Sequence, residues 1–169
     1  MNPRIWAATG AVALVGLFSV PAQAVEVPVT TSLSGDSYAV TFAGDDADLS
    51  FMVNTNGLTA FTTGGGWIPG NAGGRATFGF VAGATSGHLA LVDHSTGQRV
   101  TGTVITSFTE CVSGVSHFEG TDENGFAFQV EVADNGEPGS GRDTFTISGA
   151  YSNPGSLLGG GDIQVHGCP

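Results

Sequence analysis

The densest chemistry in this 169-residue chain lies in one acidic loop, Asp134-Asn135-Gly136-Glu137-Pro138-Gly139-Ser140-Gly141-Arg142-Asp143. The carboxylates of Asp134, Glu137 and Asp143, with carbonyls freed by the glycines, make an oxygen-rich set suited to Ca²⁺. Hard cations take several oxygens from a flexible loop. The spacing is not that of an EF-hand, which needs regular ligand positions and a closing Glu. The competing reading is turn chemistry. Asn135-Gly136 supplies positive φ, Pro138 fixes its own φ, and Arg142 pairs with a nearby carboxylate. Asp45, Asp46 and Asp48 form a second cluster that reads either as extra cation ligands or as a solvated turn.

Trp67, in the glycine-flanked stretch Gly64–Gly70, offers a surface for stacking on a sugar or anchoring a partner. It reads equally as a plug over one end of a β core. His88 and His94 share a strand face, but six residues span about 20 Å when extended. One metal cannot bridge that distance with bonds of about 2 Å. Asp93 and His94 point to opposite faces, as strand neighbours do. No Gly-x-Ser-x-Gly elbow occurs, so the α/β-hydrolase nucleophile is absent. A paired-carboxylate hydrolase stays open only because acids are abundant.

Composition narrows the classes. Fifteen acids against four arginines give a net charge of −11, and the chain has no lysine. Nucleic-acid binding by phosphate neutralisation is excluded on that balance, as is a basic patch for anionic lipid. Schiff-base and P-loop lysine chemistry are impossible.

Residues 1–24 read as a secretory signal peptide. Arg4 starts it, Trp6 to Val20 is its apolar stretch, and Ala22-Gln23-Ala24 fits the small-x-small cleavage rule. The expected product is a secreted protein, extracellular or periplasmic, with no membrane contact after cleavage. Cys111 and Cys168 are an even pair, so export predicts a disulfide tying the C-terminal end to the body.

The elements that must hold these groups are strands. Phe126, Phe128, Val130 and Val132 alternate with Ala127, Gln129, Glu131 and Ala133. Phe145 and Ile147 alternate with Thr144 and Thr146. Val100, Gly102, Val104 and Thr106 share one face. Ile163 and Val165 form a short last strand. Turn signals fall between the runs, including Thr63–Gly66, Asn71–Gly74, Asp122–Gly125 and Asn153–Gly161. No helical period follows residue 24. The pattern predicts an all-β fold, an antiparallel β-sandwich or small β-barrel of about eight to ten strands, as one domain over 25–169.

A longer combination carries a resemblance. It runs from Gly64-Gly65-Gly66-Trp67-Ile68 through Ala76-Thr77-Phe78-Gly79-Phe80-Val81 to Gly87-His88-Leu89, Asp93-His94 and Gly97. It continues with Asp134-Asn135-Gly136-Glu137-Pro138-Gly139, Asp143-Thr144-Phe145 and Leu158-Gly159-Gly160-Gly161-Asp162-Ile163-Gln164-Val165-His166. In this order the chain resembles the post-COAP domain family of secreted bacterial β proteins, over about residues 64–166. The resemblance implies an exported all-β module of secreted or surface proteins. It supports location and fold more than function. The expected role is therefore a non-catalytic module for binding, adhesion or envelope structure, with calcium as a stabiliser and a glycan or cell-surface partner. The alternatives are a carbohydrate-binding module using Trp67 and a small secreted hydrolase.

Overall fold

The structure, a computed structural model, describes residues 29–167. The signal-peptide segment lies outside the described residues, as does Cys168 and with it the expected disulfide to Cys111. Among the described residues no helix is long and apolar enough to cross a membrane.

The chain is all-β and antiparallel, as its alternation predicts. Strands β1 (Val29–Ser34), β2 (Ser37–Phe42) and β3 (Phe51–Asn54) form a three-stranded sheet in that order, with a short 3-10 helix, Gly44–Leu49, between β2 and β3. Nine strands follow: β4 (Phe61–Pro69), β5 (Arg75–Gly83), β6 (Gly87–Asp93), β7 (Gln98–Val112), β8 (Val115–Asp122), β9 (Ala127–Ala133), β10 (Thr144–Gly149), β11 (Asn153–Leu157) and β12 (Gly160–His166). Their order is β11-β10-β9-β8-β7-β6-β5-β4-β12, and the sheet curls into a half-barrel. Its two edge strands, β11 and β12, are consecutive in the chain. The link between them is stitched to both flanks: the Leu158 amide donates to Asp143 O, and the Gly159 amide to Trp67 O.

Two cores follow from this curl. The concave face holds Phe78, Phe80, Phe118, Phe128 and Phe145, with the Phe78 and Phe145 rings stacked at 4.1 Å. The convex face of β5 and β6 is covered by the small sheet. There Tyr38, Val40, Phe42 and Leu49 pack on Val81, Ala90 and Val92. Gly79 makes this possible, because a Cβ there would overlap the Val40 side chain.

Three sequence expectations are corrected. Phe126 does not join Phe128, Val130 and Val132 in the core; it is 64% exposed. Asp122 Oδ1 accepts the Phe126 amide and holds it in the hairpin turn. Val104 does not continue the face of Val100 and Gly102, because the β7–β8 register shifts between Gly102 and Val104. A bulge flips the alternation, leaving Val104 exposed and Ile105 packed against the core. The stretch around Gly64–Gly66 is not a loop but the middle of β4, paired on both sides.

Candidate functional site

The acidic loop between β9 and β10 sits against the free edge of β12. An edge strand presents unpaired amides that proteins usually protect. Here carboxylates protect them. Asp143 Oδ2 accepts the Ile163 amide at 2.9 Å, and Asp134 Oδ2 accepts the Val165 amide at 3.3 Å. In return, the loop's Gly139 amide donates to Asp162 Oδ1 of β12. Asp143 Oδ1 also accepts the Asn135 amide, and Asp134 Oδ1 the Gly136 amide. Three of these carboxylates thus close the seam of the half-barrel where a neighbouring strand would otherwise lie.

This geometry bears on the expected calcium ligands. Asp134 and Asp143 do meet at one place, but their oxygens face backbone amides. Glu137 turns instead toward Gln164, whose Nε2 lies 3.4 Å from Oε1. Among the described residues no group of three or more His, Cys, Asp or Glu is arranged to hold a metal ion. Burial, with the Asp134 and Asp162 charges, raises the Asp143 pKa above its ordinary value despite its two amide bonds. Alanine at Asp143 strands those two amides and should cost about 2 kcal/mol, read by urea unfolding. The unfolding midpoint should be the same in EDTA and in millimolar Ca²⁺. A calcium-dependent rise that Asp143→Asn removes would return the loop to cation binding.

The second acidic cluster is also tied down. Arg99 Nη2 reaches Asp46 Oδ1 at 2.5 Å, and Arg99 Nη1 reaches Asp48 Oδ2 at 2.8 Å. Asp46 Oδ2 lies 3.7 Å from His94 Nδ1, and His94 Nε2 is 2.8 Å from Thr77 Oγ1. The series Thr77–His94–Asp46 has the residue types of a hydrolase triad. Thr77, however, is buried between the two sheets, and Asp46 is held by Arg99. The arrangement bolts the 3-10 helix to β6 and β7.

The other histidines are placed separately. His88 lies on Phe51 with ring centroids 4.1 Å apart, and burial lowers its pKa. His166 stacks on Phe61 at 4.4 Å and shares a 3.0 Å hydrogen bond with Thr63. Burial lowers its pKa, with the Asp134 charge opposing. His117 pairs with Glu131 at the surface. Trp67 is half-buried on the convex side of β4. Its ring lies against the backbone of Gly159 and Gly160, and the Arg75 guanidinium sits 4.1 Å from its centroid. A sugar stacking on that ring would have to compete with Arg75.

A cleft of about 170 Å³ opens where the small sheet meets the seam. Its walls are Thr31, Ser32 and Leu33 of β1 and Asp162 and Gln164 of β12; Tyr38 and Thr63 also line it. The period-two rule puts Asp162, Gln164 and His166 on one face of β12, opposite the core residue Ile163. The Tyr38 phenol lies beside the Thr31 and Thr63 hydroxyls, and burial raises its pKa. Asp162 is raised too, by burial and by the Glu137 carboxylate beside it. The cleft therefore offers hydroxyls, an amide and the Asp162 carboxyl within one recess. Sequence reasoning missed Tyr38, Thr63, Asp162 and Gln164. The polar alternation of Asp162, Gln164 and His166 was the available signal.

No family model matches the chain, and no curated protein or solved structure matches it.

Proposed function

We propose that this chain is a secreted, non-catalytic β module that binds a partner in the cleft between β1 and β12. The observation that carries the reading is the recess itself, in which polar groups from four strands line one space at the junction of two sheets. Binding sites are concave, with a few convergent polar groups that set specificity. The resemblance to exported post-COAP modules bears on the exported, all-β part of this reading and not on the binding role.

The test is a binding screen on the full chain by amide and side-chain NMR, with one panel of oligosaccharides and one of extended peptides. A true ligand should shift the resonances of Thr31, Thr63 and the Gln164 side-chain amide. Gln164→Ala should weaken it by about tenfold, the loss of one well-placed hydrogen bond. Gln164 is exposed, so the variant should fold normally. A screen in which neither panel moves the cleft resonances would overturn the proposal.

A further inference from the structure

The four sheet edges among the described residues are not alike. β12 has its outer amides occupied by Asp134 and Asp143. β11 carries Pro154, and its pairing with β10 shifts register. β3 is only four residues long. Among the described residues, β1 has none of these protections. It pairs with β2 in six unbroken steps, from Val29↔Phe42 to Ser34↔Ser37, and among the described residues no strand lies on its other side. Five of its six residues are exposed. Ser34 and Ser37 flank a two-residue turn that starts with Gly35 at φ 57°, so they form a hydrogen-bonded pair. By alternation, the backbone groups of Val29, Thr31 and Leu33 point away from β2. Long, regular, unprotected edges are templates for another strand.

We infer that β1 is a docking edge for an extended peptide from another protein, and that the cleft takes one basic side chain of that peptide. This rests on the proposed binding role of the cleft and names its partner. A strand added to β1 lies about 4.8 Å away, with every second side chain on the cleft side. The recess there suits a lysine or arginine. Its aliphatic stem meets Leu33, which is 51% exposed, and the buried ring of Tyr38. Its charged head reaches Asp162, beside Glu137. The charges argue for this occupant. Asp162 and Glu137 face each other closely enough to disfavour two negative charges. Arg142, on the same loop as Glu137, spends Nη1 on the Glu137 carbonyl oxygen. The chain has no lysine of its own.

The experiment is fluorescence anisotropy with a labelled hexapeptide, Thr-Val-Lys-Val-Thr-Val, on the full chain at physiological salt. Three companions test the mechanism. One replaces lysine by norleucine. One moves lysine by a single place. One is N-methylated at alternate amides, which removes strand donors without touching the protein. The lysine peptide should bind, and each companion should bind about tenfold more weakly or not at all. Asp162→Asn with Glu137→Gln should weaken the lysine peptide but leave the norleucine peptide unchanged. Equal binding of the shifted and original lysine peptides means charge attraction alone and overturns the inference. So does N-methylation without effect. Peptides that fail while an oligosaccharide shifts the cleft resonances would overturn this partner and leave the binding role standing. Failure of both panels would remove both.

Discussion

Replacing Asp93 by alanine is expected to lower stability by about 4 kcal/mol, because four donors lose one buried acceptor. Asp93 ends β6 with its side chain fully buried. Its Oδ2 accepts the Asn71 amide at 3.0 Å and the Tyr151 hydroxyl at 2.8 Å. Its Oδ1 accepts both the amide and the hydroxyl of Ser95. One carboxylate thus joins the β4–β5 loop, the β6–β7 turn and the β10–β11 turn. Burial alone would raise its pKa. The hydrogen bonds to Ser95, Asn71 and Tyr151 reverse that and bring it to about 2. The Tyr151 phenol moves the other way, raised by burial and by donating to Asp93.

A carboxyl lowered in the folded state stabilises above its unfolded pKa and loses that contribution as pH falls through the folded value. For Asp93 the window runs from 3.8 down to about 2. The contribution is on the order of 2 kcal/mol by linkage. Asp93→Asn keeps one acceptor but turns an NH₂ toward donors, so it should cost about 3 kcal/mol at pH 7. Urea unfolding of the two proteins should show that gap narrowing below pH 3.8. A gap that holds constant down to pH 2 would refute the assignment. Asp143 makes the contrast. It is buried as fully as Asp93, yet its pKa is raised, because burial outweighs its two amide hydrogen bonds and the Asp134 and Asp162 charges add to it. Its loss should therefore cost less.

The strands most legible in the sequence are those with one face in a core and one in solvent. In β9, Phe128, Val130 and Val132 are buried while Gln129 and Glu131 are exposed, and period two survives. It disappears in β5. That strand is buried on both faces, by the concave core and by the small sheet, so no polar face marks it. The strands β1 to β3 were not anticipated. They bring the total among the described residues to twelve, above the expected count. The site was legible only in half. Asp162 and Gln164 could be placed on one face of the last strand, but β1 and β2 reach it through the packing of a second sheet, which no local pattern records. Asp134 and Asp143 attracted attention as ligands because free carboxylates suit cations. Their use as acceptors for strand amides becomes visible only once β12 is known to be an edge.

The run Gly64-Gly65-Gly66 teaches the same point through the backbone, and it carries the second large prediction. Glycine triplets signal turns because glycine is conformationally free. Here the requirement is space. A Cβ on Gly64 would strike Phe80 and Ile163; on Gly65, Thr31. On Gly66 it would fall on the carbonyl oxygen of Gly160 and 3.0 Å from the Gly161 Cα. The first two are side chains that can shift. The third is the backbone of β12, which cannot rotate away. Gly161 cannot yield either, since it sits at φ 105° with its own missing Cβ directed at the Gly65 carbonyl. Gly66→Ala must therefore lift β12 from β4 and open the seam. The cost should be about 4 kcal/mol or more, beyond ordinary overpacking. Gly73→Ala is the control. It meets nothing within 4 Å and carries only its φ of 86°, for about 1 kcal/mol. Chemical unfolding measures both. Amide hydrogen exchange should locate the damage, with Ile163 and Val165 losing protection in Gly66→Ala while Phe128 and Val130 keep theirs. Because β12 carries Asp162 and Gln164, the same variant should lose the cleft while the concave core stays folded. If Gly66→Ala costs no more than Gly73→Ala, β4 and β12 are not paired in this register, and the binding recess falls with them.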